Sequence, residues 1–121
     1  RGATWVKNRL ELLLKRYPKD LVTTYWLGVT HWEYLKNKNA AKKLFAKILK
    51  TKNKVKTLPR WLMPWTHLRM GNILWSEGKE REACKQMKRA MLYKEDGSGF
   101  FQWAKQNYNL LKKQRKEKVT G

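Results

Sequence analysis

The sequence predicts an all-α fold of repeated helical hairpins, and three observations predict it. Apolar residues recur at helical spacing along most of the chain. Small and apolar positions repeat at a near-constant interval: Ala41 to Ala83, Phe45 to Met87 and Ile48 to Ala90 are each 42 residues apart, and Gly28 to Gly71 is 43. Tyr17-Pro18, Pro59 and Asp96-Gly97-Ser98-Gly99 punctuate the periodic stretches. A repeated pair of amphipathic helices builds a stacked solenoid, and a solenoid is a surface for holding something. The pattern therefore points to binding rather than catalysis.

The elements follow in order. Over 5–16, Val6, Leu10, Leu13 and Leu14 fall on one helical face, with Lys7, Arg9, Glu11 and Lys15 opposite. Tyr17-Pro18 stops this helix, because a residue before Pro avoids helical backbone angles. Asp20 is a good N-cap for a helix over 21–35 whose apolar side carries Val22, Tyr25, Trp26, Val29 and Trp32. A polar turn, Lys36 to Asn39, follows, with Asn39 as the expected cap and one residue more than the second copy has. The next helix, 40–50, faces Ala41, Leu44, Phe45, Ile48 and Leu49 inward and Lys42, Lys43, Lys47 and Lys50 outward. A basic linker runs from Thr51 to Pro59. The second hairpin spans 60–93, turning at Gly78. Pro64 is harmless in a first helical turn, and a start at Arg60 would make it a kink. Glu80 and Glu82 at the start of the next helix, and Lys88 and Arg89 near its end, suit the helix dipole. A last helix over 100–117 places Phe101, Ala104, Tyr108 and Leu111 on one stripe and ends in a basic, fraying tail of Lys112, Lys113, Arg115, Lys116 and Lys118.

At 121 residues the chain reads as one domain, or part of one. It opens at Arg1 without Met and without a leader pattern, and reads as a processed product or a segment of something longer. With 41% hydrophobic residues, seven of them Trp, it can fill a core. It has no apolar run long enough to span a bilayer. The single cysteine, Cys84, permits no internal disulfide, which is compatible with a reducing compartment such as the cytoplasm. Net charge is +20, with 21 Lys against 8 Arg. That excess favours acidic partners, and its lysine bias favours diffuse attraction over reading of base edges. A lysine-rich genomic composition explains the bias equally well.

These residues resemble the tetratricopeptide repeat family, whose pattern is W-x2-L-G-x2-Y, then A-x3-F, then P. The first copy offers Thr24-x2-Leu27-Gly28-x2-His31, Ala41-x3-Phe45 and Ile48. The second offers His67-x2-Met70-Gly71-x2-Leu74, Gly78, Ala83-x3-Met87 and Ala90. Thr24 and His67 replace the usual aromatic, and no proline closes the second copy. The resemblance covers about residues 6–93 of the chain. It implies a short right-handed α-solenoid: hairpins at 21–50 and 60–93, a half unit at 5–16 and a capping helix at 100–117. Small residues at Gly28, Gly71, Ala41 and Ala83 would let paired helices approach, and Phe45 and Met87 would fill the gap between successive units.

The resemblance also implies a concave groove lined by the first helix of each hairpin. Carried over by spacing, it would show Val22, Tyr25, Val29, Trp32 and Glu33, then Trp65, Leu68, Asn72 and Trp75, a set suited to a protein or peptide segment. The competing reading packs these aromatics against neighbouring helices, above all 100–117. A carboxylate clamp of the kind that holds chaperone tails is incomplete, because Tyr25 and Val29 stand where Lys and Asn are needed.

The strongest charge signal is 36–56, with nine lysines and no acid. Lys43, Lys47 and Lys50 share a helical stripe with Lys42 beside it, and Lys52, Lys54 and Lys56 continue into the linker. Such a face neutralises phosphates in a salt-sensitive, sequence-independent way. It equally suits an acidic protein or anionic lipid heads, or is simply a solvated lysine face. His31, His67 and Cys84 have no partners at metal-ligand or catalytic spacing, so no metal, cofactor or enzymatic activity is expected. The expected function is a non-catalytic protein-binding scaffold. A nucleoprotein accessory role comes second, and an assembly factor at a membrane surface third. Sequence says nothing of oligomeric state.

Overall fold

The computed structural model describes residues 2–51, 58–93 and 100–120, with side chains in the last stretch described at 102 and 105–114. The linker lysines Lys52, Lys54 and Lys56, the break at 96–99, and the side chains of Phe101, Ala104, Arg115, Lys116 and Lys118 lie outside the described residues. Every described element is helical: α1 (Ala3–Arg16), α2 (Leu21–Val29) continuing into a π-helical segment (Thr30–Tyr34), α3 (Lys38–Thr51), α4 (Leu62–Ser76), α5 (Glu80–Met91) and α6 (Phe100–Thr120). They pack as two compact units, one ending at Thr57 and the other starting at Leu58.

In the first unit, α2 starts where Asp20 predicts. Its carboxylate accepts the N–H groups of Val22 and Thr23 at 3.1 and 3.2 Å and the Thr23 hydroxyl at 2.9 Å. Thr24 is fully buried, with its hydroxyl donating to the Asp20 carbonyl at 2.9 Å, so it fills apolar space without an unmet polar group. Leu21, Tyr25, Leu27 and Val29 are buried on this side of the pair, and Ala41, Phe45 and Ile48 on the other. The two helices run antiparallel at very close range. A Cβ added to Gly28 would lie 2.8 Å from Cε1 and 2.9 Å from Cζ of Phe45.

The second unit repeats this contact. Ala83, Met87 and Ala90 of α5 are fully buried, and a Cβ on Gly71 would meet the Met87 methyl at 2.9 Å and the Ala83 carbonyl at 3.3 Å. Pro64 lies in the first turn of α4, where its missing N–H is harmless. Glu80 and Glu82 open α5, and Lys88 and Arg89 close it. Leu68, Met87 and Ala90 form a buried cluster, against which Trp65, Met91, Tyr93, Tyr108 and Leu111 pack. The last helix is thus seated on α5 through two residues of its expected stripe. Phe45 and Met87 each pack against the facing glycine of their own hairpin, and Met87 also lies in the cluster that receives α6. At Gly28 the three nearest atoms all belong to the Phe45 ring, and at Gly71 they are the end of Met87 and the Ala83 carbonyl.

The extra residue of the first copy lies in the helix, not in the turn. Lys36 (φ 54) and Gly78 (φ 79) both occupy the left-handed region, five residues before Ala41 and Ala83 respectively. The turns therefore match. The interval from the close-approach glycine to the turn residue differs, eight against seven, and within the longer one sits the π-helical segment. There the Leu35 N–H bonds the Thr30 carbonyl at 3.1 Å, closing an i to i+5 ring that absorbs one added residue. The cap of α3 also differs from expectation. Asn37, not Asn39, accepts the Ala40 N–H, at 3.2 Å. Asn39 is already one residue inside the helix.

Three predictions arise here. Lysine in the left-handed region is strained by its Cβ, whereas glycine is not, so Lys36→Gly should raise stability by about 0.5–1 kcal/mol in urea melts, after the extra chain entropy of glycine is subtracted. Gly28→Ala should destabilise by about 1–3 kcal/mol, because a rigid ring faces the new methyl. Gly71→Ala should stay within about 1 kcal/mol of wild type, because the end of a methionine side chain can swing away, the Ala83 carbonyl at 3.3 Å need give by only a few tenths of an ångström, and alanine is the better helix former. The same melts compare the two.

Candidate protein-binding and basic surfaces

The residues expected to line a groove divide into support and surface. In the first unit Tyr25 and Val29 are buried, at 3% and 6% exposure, Val22 and Trp32 are half-buried, and Glu33 is exposed. Tyr25 packs its ring 5.9 Å from Phe45 and edge-on to Trp26 at 5.1 Å, so it is a core residue of the hairpin. In the second unit Leu68 is fully buried, while Trp65, Asn72 and Trp75 are half-buried. Trp65 belongs to the cluster that also receives Tyr108 and Leu111 from α6. At Tyr25, Val29, Leu68 and Trp65 the reading as packing against neighbouring helices therefore describes the structure, and Leu68 has no surface to offer a ligand. Trp32, Glu33, Asn72 and Trp75 keep exposed area.

Sequence reasoning placed Trp26 on the inward side, yet it is 48% exposed. Thr23, Thr24 and Leu27 take the inward positions around it. Threonine carries a hydroxyl that its own helix can satisfy, so a polar count underrates it as a core former. On α1 the run Leu12-Leu13-Leu14 covers about 200° of helix circumference at 100° per residue, more than one neighbour can cover. Leu12 and Leu13 are accordingly exposed, as are Val6 and Trp5, against the expectation that Val6 and Leu13 face inward. The Arg9 guanidinium lies 5.3 Å from the Trp5 ring. The exposed aromatic and leucine surface of α1 is thus flanked by cations.

The basic face is well defined over α3. Lys43, Lys47 and Lys50 are exposed and Lys42 is half-buried. The stripe 43, 47, 50 is offset by two residues, about 200°, from the buried stripe Ala41, Phe45, Ile48, so it points away from the hairpin core. The Lys47 ammonium donates to the Pro18 carbonyl at 3.3 Å.

Among the described residues no His, Cys, Asp or Glu are grouped as a metal ion would need, and no helix is long and apolar enough to cross a membrane. Cys84 is buried. The His31 Nδ1 is buried without a hydrogen-bond partner. Burial holds its pKa below the ordinary 6.5, with Lys7 adding to the effect and Glu11 opposing it. The His67 Nδ1 faces the Gln86 carboxamide oxygen at 2.8 Å, which assigns it the ring proton. Burial lowers the His67 pKa as well, the Gln86 bond opposes this, and Arg89 adds to it.

Both histidines resist protonation in the fold, so the unfolded chain takes up protons first as pH falls. Stability present at neutral pH should decline below about pH 6.5 and level off below the folded-state values. Urea melts at neutral and mildly acidic pH check this, and His67→Gln should reduce the slope.

The chain matches no protein-family model, and no curated protein matches it.

Proposed function

We propose that this chain is a non-catalytic protein-binding module in which tetratricopeptide-like hairpins stack as a short solenoid and present a partly aromatic surface to an acidic peptide segment. One observation carries the reading. Trp32 and Trp75 each stand four residues after the close-approach glycine of their hairpin, and both are only half-buried. Large aromatics left partly open at the same sequence offset from the glycine in two copies are poorly used as core and well suited as anchors. Exposed Glu33 and half-buried Asn72 nearby in sequence supply polar contacts, and the net charge of +20 selects acidic partners.

Trp32→Ala and Trp75→Ala test the reading. Each variant is compared with wild type by circular dichroism melting and by selection against a displayed library of acidic-apolar peptides. The reading expects a variant that keeps its fold and loses at least tenfold in affinity for the peptides wild type selects. If lost binding always accompanies lost folding, or wild type enriches no peptide, the tryptophans are core and the reading fails.

A further inference from the structure

The outward stripe of α3 and the turn between α1 and α2 come together at one end of the first unit. The joining contact is the Lys47 ammonium on the Pro18 carbonyl, at 3.3 Å. Pro18 lies between Tyr17 and Lys19, both exposed. Tyr17 is 53% exposed, with the Arg16 guanidinium 5.6 Å from its ring. Along α3, Lys43 and Lys50 flank Lys47 on the same exposed stripe, which spans about 10 Å at 1.5 Å per residue. The acid of this turn, Asp20, has both carboxylate oxygens engaged in capping α2. No acid occurs anywhere in 36–56.

The result is an exposed ring beside Arg16 and next in sequence to Lys19, on a turn that the Lys47 bond joins to the Lys43, Lys47 and Lys50 stripe, five cations in all. Four of these are lysines, point charges suited to phosphate rather than to base edges. An exposed ring adds little on a duplex, whose bases are stacked away, but gives an unpaired base a platform. We propose that this end of the first unit binds single-stranded nucleic acid without sequence preference, with Lys19, Lys43, Lys47 and Lys50 on phosphates and Tyr17 under a base. This surface is separate from the tryptophans of the protein-binding reading and stands or falls without them.

The test uses the full chain and fluorescence anisotropy with labelled oligo(U) and oligo(dT) across a salt series. Binding should weaken steeply between about 50 and 200 mM salt. Lys43→Gln, Lys47→Gln and Lys50→Gln together should make the log–log salt slope shallower by about 2, since each phosphate contact to a single strand contributes about 0.7. The corresponding triple Arg variant should restore the slope, which a merely structural role for the Lys47 bond would not require. Tyr17→Ala should weaken binding about tenfold at an unchanged slope. Melting curves for each variant confirm that the fold is kept, and Lys43→Gln with Lys50→Gln serves if the triple variant melts early. No binding at low salt overturns the proposal, as does an unchanged slope in the Gln variants. So does unchanged affinity in Tyr17→Ala. Equal or tighter binding to duplex DNA, polyglutamate or phosphatidylserine vesicles likewise overturns it, by making the face a general polyanion or membrane surface.

Discussion

Replacing Phe45 with Ala should cost the first unit about 3–5 kcal/mol, the upper range for a buried side chain, because the hole it leaves cannot close. The ring is fully buried between Gly28 and Tyr25. Gly28 has no side chain to move in, and the surrounding groups sit on a backbone already capped by Asp20 and Asn37. Nor does α1 compensate, since none of its residues is buried. Urea unfolding measures the loss, and amide exchange over 21–51 should show it concentrated in α2 and α3. Phe45→Met should be far milder, within about 1.5 kcal/mol, because methionine already performs the same task against Gly71. If Phe45→Ala cost less than about 1 kcal/mol, the ring–glycine contact would not be what holds the hairpin.

Met87→Ala should cost the second unit about 2–5 kcal/mol and loosen α6 at the same time. Met87 is fully buried and joins two jobs: its methyl covers Gly71, and its cluster with Leu68 and Ala90 receives Tyr108 and Leu111. Tyr108 is further held by two cations, with Lys88 5.8 Å and Lys112 5.9 Å from its ring, each contact worth about 0.5–1 kcal/mol at a partly exposed site. Amide exchange over 105–114 should therefore rise in Met87→Ala by more than the global loss of stability explains. Tyr108→Leu separates the two causes, because it keeps apolar cover and removes only the ring.

Much of this fold is legible in the sequence, because burial follows the spacing of large and small residues. Ala41, Phe45 and Ile48, with Ala83, Met87 and Ala90, are buried as their repeat predicts, and Asp20, Pro64 and Gly78 stand where their backbone chemistry puts them. What the pattern hides depends on distance rather than period. Phe45 and Met87 were expected to fill the gap between successive units, and only the 2.8 and 2.9 Å approaches show how closely each also meets the glycine of its own hairpin. Tyr25, Trp26, Val29 and Leu68 show the same gap at the candidate surface. Apolarity placed them on a helix face, but which of them stays open depends on Thr23 and Thr24 taking core positions and on α6 covering α5. The exposed stripe of Lys43, Lys47 and Lys50 was legible, while its meeting with the turn at Pro18 was not, since that rests on a contact between residues 29 apart in sequence.

The widened turn at Thr30–Tyr34 lies between a glycine contact and a left-handed residue, Lys36, each of which has a counterpart in the shorter copy. Chain length can thus vary at this spot without disturbing either neighbour, in the manner of a slack link in a taut belt. A length-based comparison that assigns the added residue to the connecting loop will rotate the outward residues of the rod by about a quarter of a revolution.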